Sequence, residues 1–143
     1  MMLRPLKTAL LAAAFILQSA CSTAPISATS SGATRNFHVP SGKSSIFVYR
    51  EGLAGALFRY GVFLDNTMVA DISANMYVEL QVEPGAHYVG IKPPATIGPI
   101  TVLLVAESGR AYYLTHSWFS GSFSQVDQKT AQSLINGLTP FEK

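Results

Sequence analysis

From about residue 45 onward, apolar residues recur at every second position, which is the spacing of β-strands that bury one face. The alternation is cleanest in residues 76–82, where the even positions are apolar and the odd ones include Glu79 and Gln81. This pattern predicts a sheet with one face on the core and the other in water. The predicted strands are Ile46–Tyr49, Tyr60–Leu64, Met68–Ile72, Met76–Val82, His87–Ile91, Ile100–Ala106 and Ala111–Phe119.

Short polar segments between these strands predict the turns. Asp65-Asn66 is typical of a hairpin turn, Glu83-Pro84-Gly85 reverses the chain, and Ser108-Gly109 joins the last two strands. Because strands Ile100–Ala106 and Ala111–Phe119 are long and apolar, we expect them to form the central pair of the sheet.

The spacing of apolar residues changes to a helical period near the C-terminus. Ser124 is a candidate N-cap, Gly137 a candidate stop, and Pro140 lies just beyond it. We therefore predict a helix over Ser124–Asn136 that packs on the sheet and covers one face. The expected fold is mainly β, a single β-sandwich or sandwich-like sheet of about seven strands with one C-terminal helix.

The N-terminus has the three parts of a secretory signal peptide. Arg4 and Lys7 supply positive charge, Leu10–Leu17 is an apolar run, and Gln18-Ser19-Ala20 precedes a cysteine. The run is shorter than the roughly 20 residues needed to span a bilayer. Residues 1–20 are therefore predicted to be removed from the mature protein.

Cys21 is the single cysteine of the chain, so it cannot form an internal disulfide. Its position after a small residue resembles the lipobox of bacterial lipoprotein precursors, with the departure that Gln18 stands where that motif usually has leucine. The resemblance implies acylation of Cys21, with palmitate among the chains, and a membrane attachment. Ser22 after the cysteine, by analogy with enterobacterial sorting, favours the outer membrane, facing the periplasm.

Residues 21–44 are predicted to be a flexible tether, since Ser, Thr, Ala, Gly and Pro dominate residues 22–34. Residues 45–143 then form the β domain with its C-terminal helix.

The charges of the chain argue against nucleic-acid binding. Of the ten Lys and Arg residues, two lie in the predicted signal, which leaves eight against eight Asp and Glu. A near-neutral domain has no basic stripe to replace the counterions of nucleic acid.

No pattern of catalytic or metal-binding residues is visible in the sequence. His38, His87 and His116 are far apart and do not have the spacing of a zinc site. The G-x-S-x-G pattern of hydrolases is absent. We expect no enzymatic activity, no metal and no cofactor.

Part of the β domain resembles a known family. The segments concerned are Ser45–Arg50, Val62–Asn66, Val69–Ile72, Tyr77–Leu80 and Val82–His87. They resemble the bacterial lipoprotein family called domain of unknown function 2846 and, more distantly, PEGA domains. Asn66 and Glu51 depart from the family pattern, which has glycine at the turn and often proline after the first strand. The resemblance implies an Ig-like β fold and a place in the cell envelope, and it carries no catalytic residues.

Three regions are candidates for contact with a partner: an exposed edge of the sheet, the loop Lys92–Pro99, and the strand Ala111–Phe119, which is rich in aromatic residues. The loop is stiff and poor in hydrogen-bond donors, because Pro93, Pro94 and Pro99 lie in it. Its candidate contact residues are Lys92, Pro93, Pro94, Thr96 and Ile97, and the alternative is that the loop only joins two strands. In the aromatic strand, Tyr113 is predicted to be the exposed ring.

These observations predict a non-enzymatic lipoprotein of the cell envelope, whose β domain binds a protein or cell-wall partner. Two alternatives stay open at this point. One is an enzyme accessory or cryptic hydrolase acting on envelope polymers, and the other is a structural subunit of a membrane complex.

Overall fold

The structure is a computed structural model that describes residues 28–29 and 37–142. Two β-sheets lie face to face, and one short helix covers the outer face of the first sheet. In chain order the elements are β1 (Ala28–Thr29), β2 (Ser44–Arg50), β3 (Tyr60–Leu64), β4 (Thr67–Ile72), β5 (Met76–Val82), β6 (Gly85–Lys92), β7 (Ile100–Ala106), β8 (Ala111–His116), β9 (Phe123–Val126), α1 (Gln128–Ile135) and β10 (Thr139–Pro140). The predicted β-sandwich with a C-terminal helix is confirmed.

The two sheets differ in how their strands pair. The first sheet has the order β1-β5-β2-β8-β9, with the short β10 parallel to β5, and the second has the order β4-β3-β6-β7. All pairs in the second sheet are antiparallel, whereas β2 and β8 of the first sheet run parallel. Because β7 belongs to the second sheet and β8 to the first, the connection at residues 107–110 crosses between the sheets.

The first sheet is buried on both faces, so the prediction from residues 76–82 that one face lies in water is wrong for this sheet. β2 shows why. Ile46 and Val48 point into the core between the sheets, where they meet Val62 and Ile91 of the second sheet. Phe47 belongs to a second core on the outer face, beneath α1. A strand covered on both sides requires the nearly continuous apolar run that β2 has.

The N-cap of the helix lies three residues later than the sequence predicts. Asp127 is the N-cap, and its side chain accepts a hydrogen bond from the backbone N–H of Thr130. Ser124 lies instead in β9, an additional edge strand paired with β8, so the prediction that it caps the helix is wrong. Ala131 and Ile135 anchor the helix on the sheet, which confirms that it covers one face.

Two expectations about the last long strands are also wrong. β7 and β8 are not a central pair, because β7 is an edge of the second sheet while β8 lies between β2 and β9 in the first. The strand predicted to reach Phe119 ends at His116, since the chain turns at residues 117–122.

Several predictions concern residues at or before the domain boundary. Cys21 and the signal peptide of residues 1–20 lie outside the described residues. Within the predicted tether, Ala28–Thr29 pairs with β5, and Phe37 packs on Phe47 and Tyr113. These parts of the predicted tether therefore belong to the folded domain. None of the helices in the described residues has the length and apolar character of a membrane-spanning segment.

Candidate contact surface at one end of the sandwich

The strand directions bring four connections together at one end of the sandwich. Residues 51–59, 73–75, 93–99 and 117–122 join the strands there, and we call this the loop end. The opposite end holds the connections at residues 65–66, 83–84 and 107–110, and the chain enters β2 there at Ser44. We call that the entry end.

Large apolar side chains protrude from three of the four connections at the loop end. Leu57 and Phe119 are each 95% exposed, and Ile97 is completely exposed. Leu53, Phe58 and Trp118 add further exposed apolar surface in two of these loops. Apolar side chains grouped in this way on a folded domain indicate a surface that contacts another molecule.

Arg50 fixes the first of these loops from beneath. The side chain is only 4% exposed, and it donates hydrogen bonds to the carbonyl oxygens of Phe58 at 3.0 Å and Gly55 at 3.2 Å. Its guanidinium lies 3.6 Å from the centre of the Tyr60 ring. Burial lowers the pKa of Arg50, and the nearby Tyr60 partly opposes that shift. Charge-assisted bonds to carbonyls hold the backbone of residues 51–59 in one conformation.

Trp118, in the loop at residues 117–122, packs against the loop at residues 51–59. Its ring stacks on Phe58, with ring centres 6.5 Å apart and planes inclined by 8°. Gly55 has φ of +68°, and a Cβ atom at that position would lie 2.8 Å from Cζ3 of Trp118. Only glycine fits both the backbone conformation and the close approach of the indole ring.

A polar pair, buried Tyr60 and partly buried His116, lines the same groove as Trp118. The Tyr60 and His116 rings meet edge to face, with centres 5.5 Å apart. Burial, together with the positive charge of Arg50, lowers the pKa of His116 and so favours the neutral imidazole. His116 Nε2 is buried, and no atom of the described residues hydrogen bonds to it.

Two grooves run along either side of Trp118. One, with a volume of about 520 Å³, lies between the loop at residues 51–54 and residues 115–119. The other, of about 270 Å³, is lined by Pro93, Thr96 and Ile100 on one side and by Trp118 on the other. Apolar groups of a partner could enter both grooves while the loop tips enter the partner.

The structure brings most of the predicted contact residues to this end. Lys92 is partly buried at the end of β6, Pro93 is buried, and Pro94 is exposed. Thr96 turns the loop by donating hydrogen bonds from its backbone N–H and its Oγ1 to the carbonyl of Pro93. This turn presents Ile97 to solvent at the tip.

Tyr113 does not belong to this surface. Its side chain is 1% exposed and lies beneath α1, where it stacks on Phe47 and accepts a hydrogen bond from Gln132 Nε2. The prediction that Tyr113 is an exposed contact residue is wrong, because the helix covers the face to which it points.

Sequence reasoning missed the contribution of the loop at residues 51–59. Leu53, Leu57 and Phe58 lie in a glycine-containing apolar segment that has no alternation between two strands. The sequence does contain a signal for these exposed loop residues, because the segment is apolar but has the period of neither a strand nor a helix. The position of Arg50 beneath this loop depends on the packing of the two sheets and leaves no such signal.

The entry end has a different character. Lys43 pairs with Glu83, Arg110 with Glu107, and Asp65 with His87. Among the described residues, no three His, Cys, Asp or Glu side chains come together as metal ligands at either end.

Comparison of the sequence with protein-family models, with curated proteins and with solved structures gives no significant match. The resemblance of residues 45–87 to the lipoprotein family stays a prediction.

Proposed function

We propose that this protein is a non-enzymatic lipoprotein of the bacterial cell envelope whose β-sandwich binds an envelope partner through its loop end. The observation that carries the proposal is the group of protruding apolar side chains at that end, above all Leu57, Ile97 and Phe119. They come from three separate loops at the same end of the sandwich.

The energetics of such a surface favour binding. Full burial of one large apolar side chain contributes about 1.5–3 kcal/mol. Association also costs the entropy of ordering loops, which can cancel that gain. Here the Arg50 hydrogen bonds and the packing of Trp118 on Gly55 and Phe58 order the loops at residues 51–59 and 117–122 in advance. More of the burial energy is therefore retained on binding.

The position of the surface suits a lipid-anchored protein. In the proposal the lipid is on Cys21, and the first described residues after it, Ala28–Thr29, lie opposite Leu80 and Glu79 of β5 and run towards the loop end. The chain thus arrives from the side of the entry end, and the loop end lies at the far side of the strands. The partner is expected to offer an apolar surface with few charges, such as a cavity or groove of an envelope protein.

Site-specific photocrosslinking in intact cells tests this function. A photoreactive amino acid replaces Phe119 at the loop end or, as the matched control, exposed Ser108 at the entry end. We expect one discrete adduct from position 119 and none from position 108. The double substitution Leu57→Ser and Ile97→Ser should remove that adduct and leave the melting temperature unchanged, since both side chains are exposed. Equal adducts from both positions, or none from position 119, would contradict the proposal.

A further inference from the structure

The described sheet edges are protected from further pairing, with one exception. β1 and β10 cover the edge of β5, and β9, the opposite edge of the first sheet, has four residues. In the second sheet, β4 has an irregular register with β3 at Val62 and Phe63, and the Arg59–Asp71 ion pair lies at its end. Irregularities, charges and short strands are the usual means of preventing edge-to-edge association.

β7 lacks each of these protections. Its seven residues, Ile100–Ala106, include neither a charged residue nor proline, and among the described residues it pairs only with β6. β9 approaches it from the other sheet but pairs with β8 instead. In the described part of the chain, the row of backbone N–H and C=O groups on the outer side of β7 therefore has no partner strand, which leaves a place for another strand to pair.

The side chains beside this edge are apolar and exposed. Leu103 is 56% and Val105 65% exposed on the outer face of the second sheet. Tyr88 of β6, directly opposite Leu103 in the register, is also exposed. A strand that pairs with β7 would thus gain apolar contacts on this face as well as backbone hydrogen bonds.

We propose that the occupant of this edge is β7 of a second copy of the chain, paired antiparallel about a two-fold axis at Leu103. In this register Thr101 of one copy faces Val105 of the other, and Val102 faces Leu104. No charge opposes a like charge, and Glu107 of one copy faces Pro99 of the other. A two-fold interface requires a self-complementary surface, which an uncharged strand with this sequence provides.

Pairing in this way joins the two second sheets into one continuous sheet. Tyr88 and Leu103 of one copy then form a single apolar row with the same two residues of the other copy. Cross-strand rows of aromatic and aliphatic side chains stabilise sheets. The self-association does not depend on the loop end, so it stands apart from the proposed partner binding.

Disulfide crosslinking tests the register on the full-length protein purified from membranes in detergent. The Cα atoms of directly opposed residues in an antiparallel pair lie about 4.5–5.5 Å apart, which suits a disulfide. Leu103→Cys should therefore form a disulfide-linked dimer under mild oxidation. Met68→Cys, similarly exposed on the β4 edge, is the matched control and should give at least about tenfold less dimer. Equal yields from the two variants, or no dimer from Leu103→Cys, would overturn the proposal.

A charge substitution tests the association itself. Leu103→Lys places two like charges against each other at the two-fold axis, so sedimentation should show monomer where the unsubstituted protein is a dimer. Met68→Lys should leave the dimer intact. A monomeric unsubstituted protein, or a Leu103→Lys variant that is still a dimer, would count against β7 pairing. Near-ultraviolet circular dichroism checks that both variants are folded, and the crosslinking result decides the question if Leu103→Lys is not.

Discussion

Leu80 and Glu79 are neighbours on β5 with opposite surroundings. Leu80 is completely buried in the core between the sheets, whereas Glu79 lies on the other face and accepts a hydrogen bond from Ser45 Oγ at 2.8 Å. Leu80→Ala should lower the free energy of unfolding by about 2–5 kcal/mol, because it leaves a cavity.

The matched control at the same strand is Glu79→Gln, which keeps an acceptor for Ser45. It should lower the free energy of unfolding by well under about 1 kcal/mol. Urea denaturation of both variants provides the comparison. Similar losses for the two variants would show that the register of β5 is not the one described.

His87 links the stability of the entry end to pH. Burial tends to lower its pKa, but the hydrogen bonds to the Asp65 carboxylate and the Glu83 carbonyl, with the charge of Asp65, raise it above the usual value. A histidine whose pKa is higher in the folded protein stabilises the fold below its unfolded pKa of about 6.5, and this stabilisation is lost as pH rises through the folded pKa.

The substitution His87→Gln isolates this effect. The difference in free energy of unfolding between the unsubstituted protein and His87→Gln should be larger at about pH 5.5 than at about pH 8.5. His116, whose pKa is shifted in the opposite direction, is present in both proteins and cancels in the difference. A difference that grows with pH would contradict the assigned pairing with Asp65.

At the scale of elements, the loop at residues 51–59 depends on one glycine contact. Gly55 and Gly52 both have positive φ, at +68° and +79°, but only Gly55 lies against another residue, Trp118. Gly52→Ala should therefore lower the free energy of unfolding by about 1–2 kcal/mol, through backbone strain alone. Gly55→Ala should lower the free energy of unfolding by more, since the indole ring must also move.

Fluorescence gives a second measurement of the same contact, because Trp118 is the single tryptophan of the chain. Gly55→Ala should shift its emission, while Gly52→Ala should leave it unchanged. Identical spectra for the two variants would show that Trp118 does not rest on Gly55.

A substitution in the loop at residues 93–99 is predicted to weaken partner binding and to leave the stability of the domain unchanged. Replacement of Thr96-Ile97 by Ser-Ser keeps a hydroxyl able to bond to the Pro93 carbonyl and removes an exposed side chain. Recovery of the partner in pull-downs should fall, and the melting temperature should stay within about 2 °C. A lower melting temperature with full recovery of the partner would mark the loop as structural.

Elements whose signals are local could be predicted from the sequence, and those set by packing could not. The assignment of the even positions of residues 76–82 to the core and the Asp65-Asn66 turn, with φ of +47° and +66°, match the structure. The odd positions were expected in water, but Tyr77 is buried because α1 covers that face. The predicted N-cap of the helix is wrong, because Ser and Asp are both favourable N-cap residues. Only the pairing of β9 with β8 decides between Ser124 and Asp127. The sequence of residues 111–116 predicts a strand but does not indicate which of the two sheets it joins.

At the scale of the whole molecule, the predicted anchor at Cys21 is open to direct test. Cys21→Ser should abolish labelling by palmitate and move the protein from the membrane to the soluble fraction. The reason is that each buried CH₂ of an acyl chain contributes about 0.8 kcal/mol to membrane binding. Ser22→Ala is the matched control and should keep the label. Cys21→Ser protein that has lost its signal peptide and still pellets with membranes would contradict lipidation.

The parallel pairing of β2 with β8 has a consequence for how this chain folds. Tyr49 and Thr115, 66 residues apart, are opposite each other in that pair. Because the centre of the first sheet joins such distant segments, its formation requires closure of a long loop, and folding is expected to be slow compared with a helical domain of this size. A chain released before β8 has emerged leaves one side of β2 without its partner strand, so the first sheet is completed only late, when nearly the whole polypeptide is present.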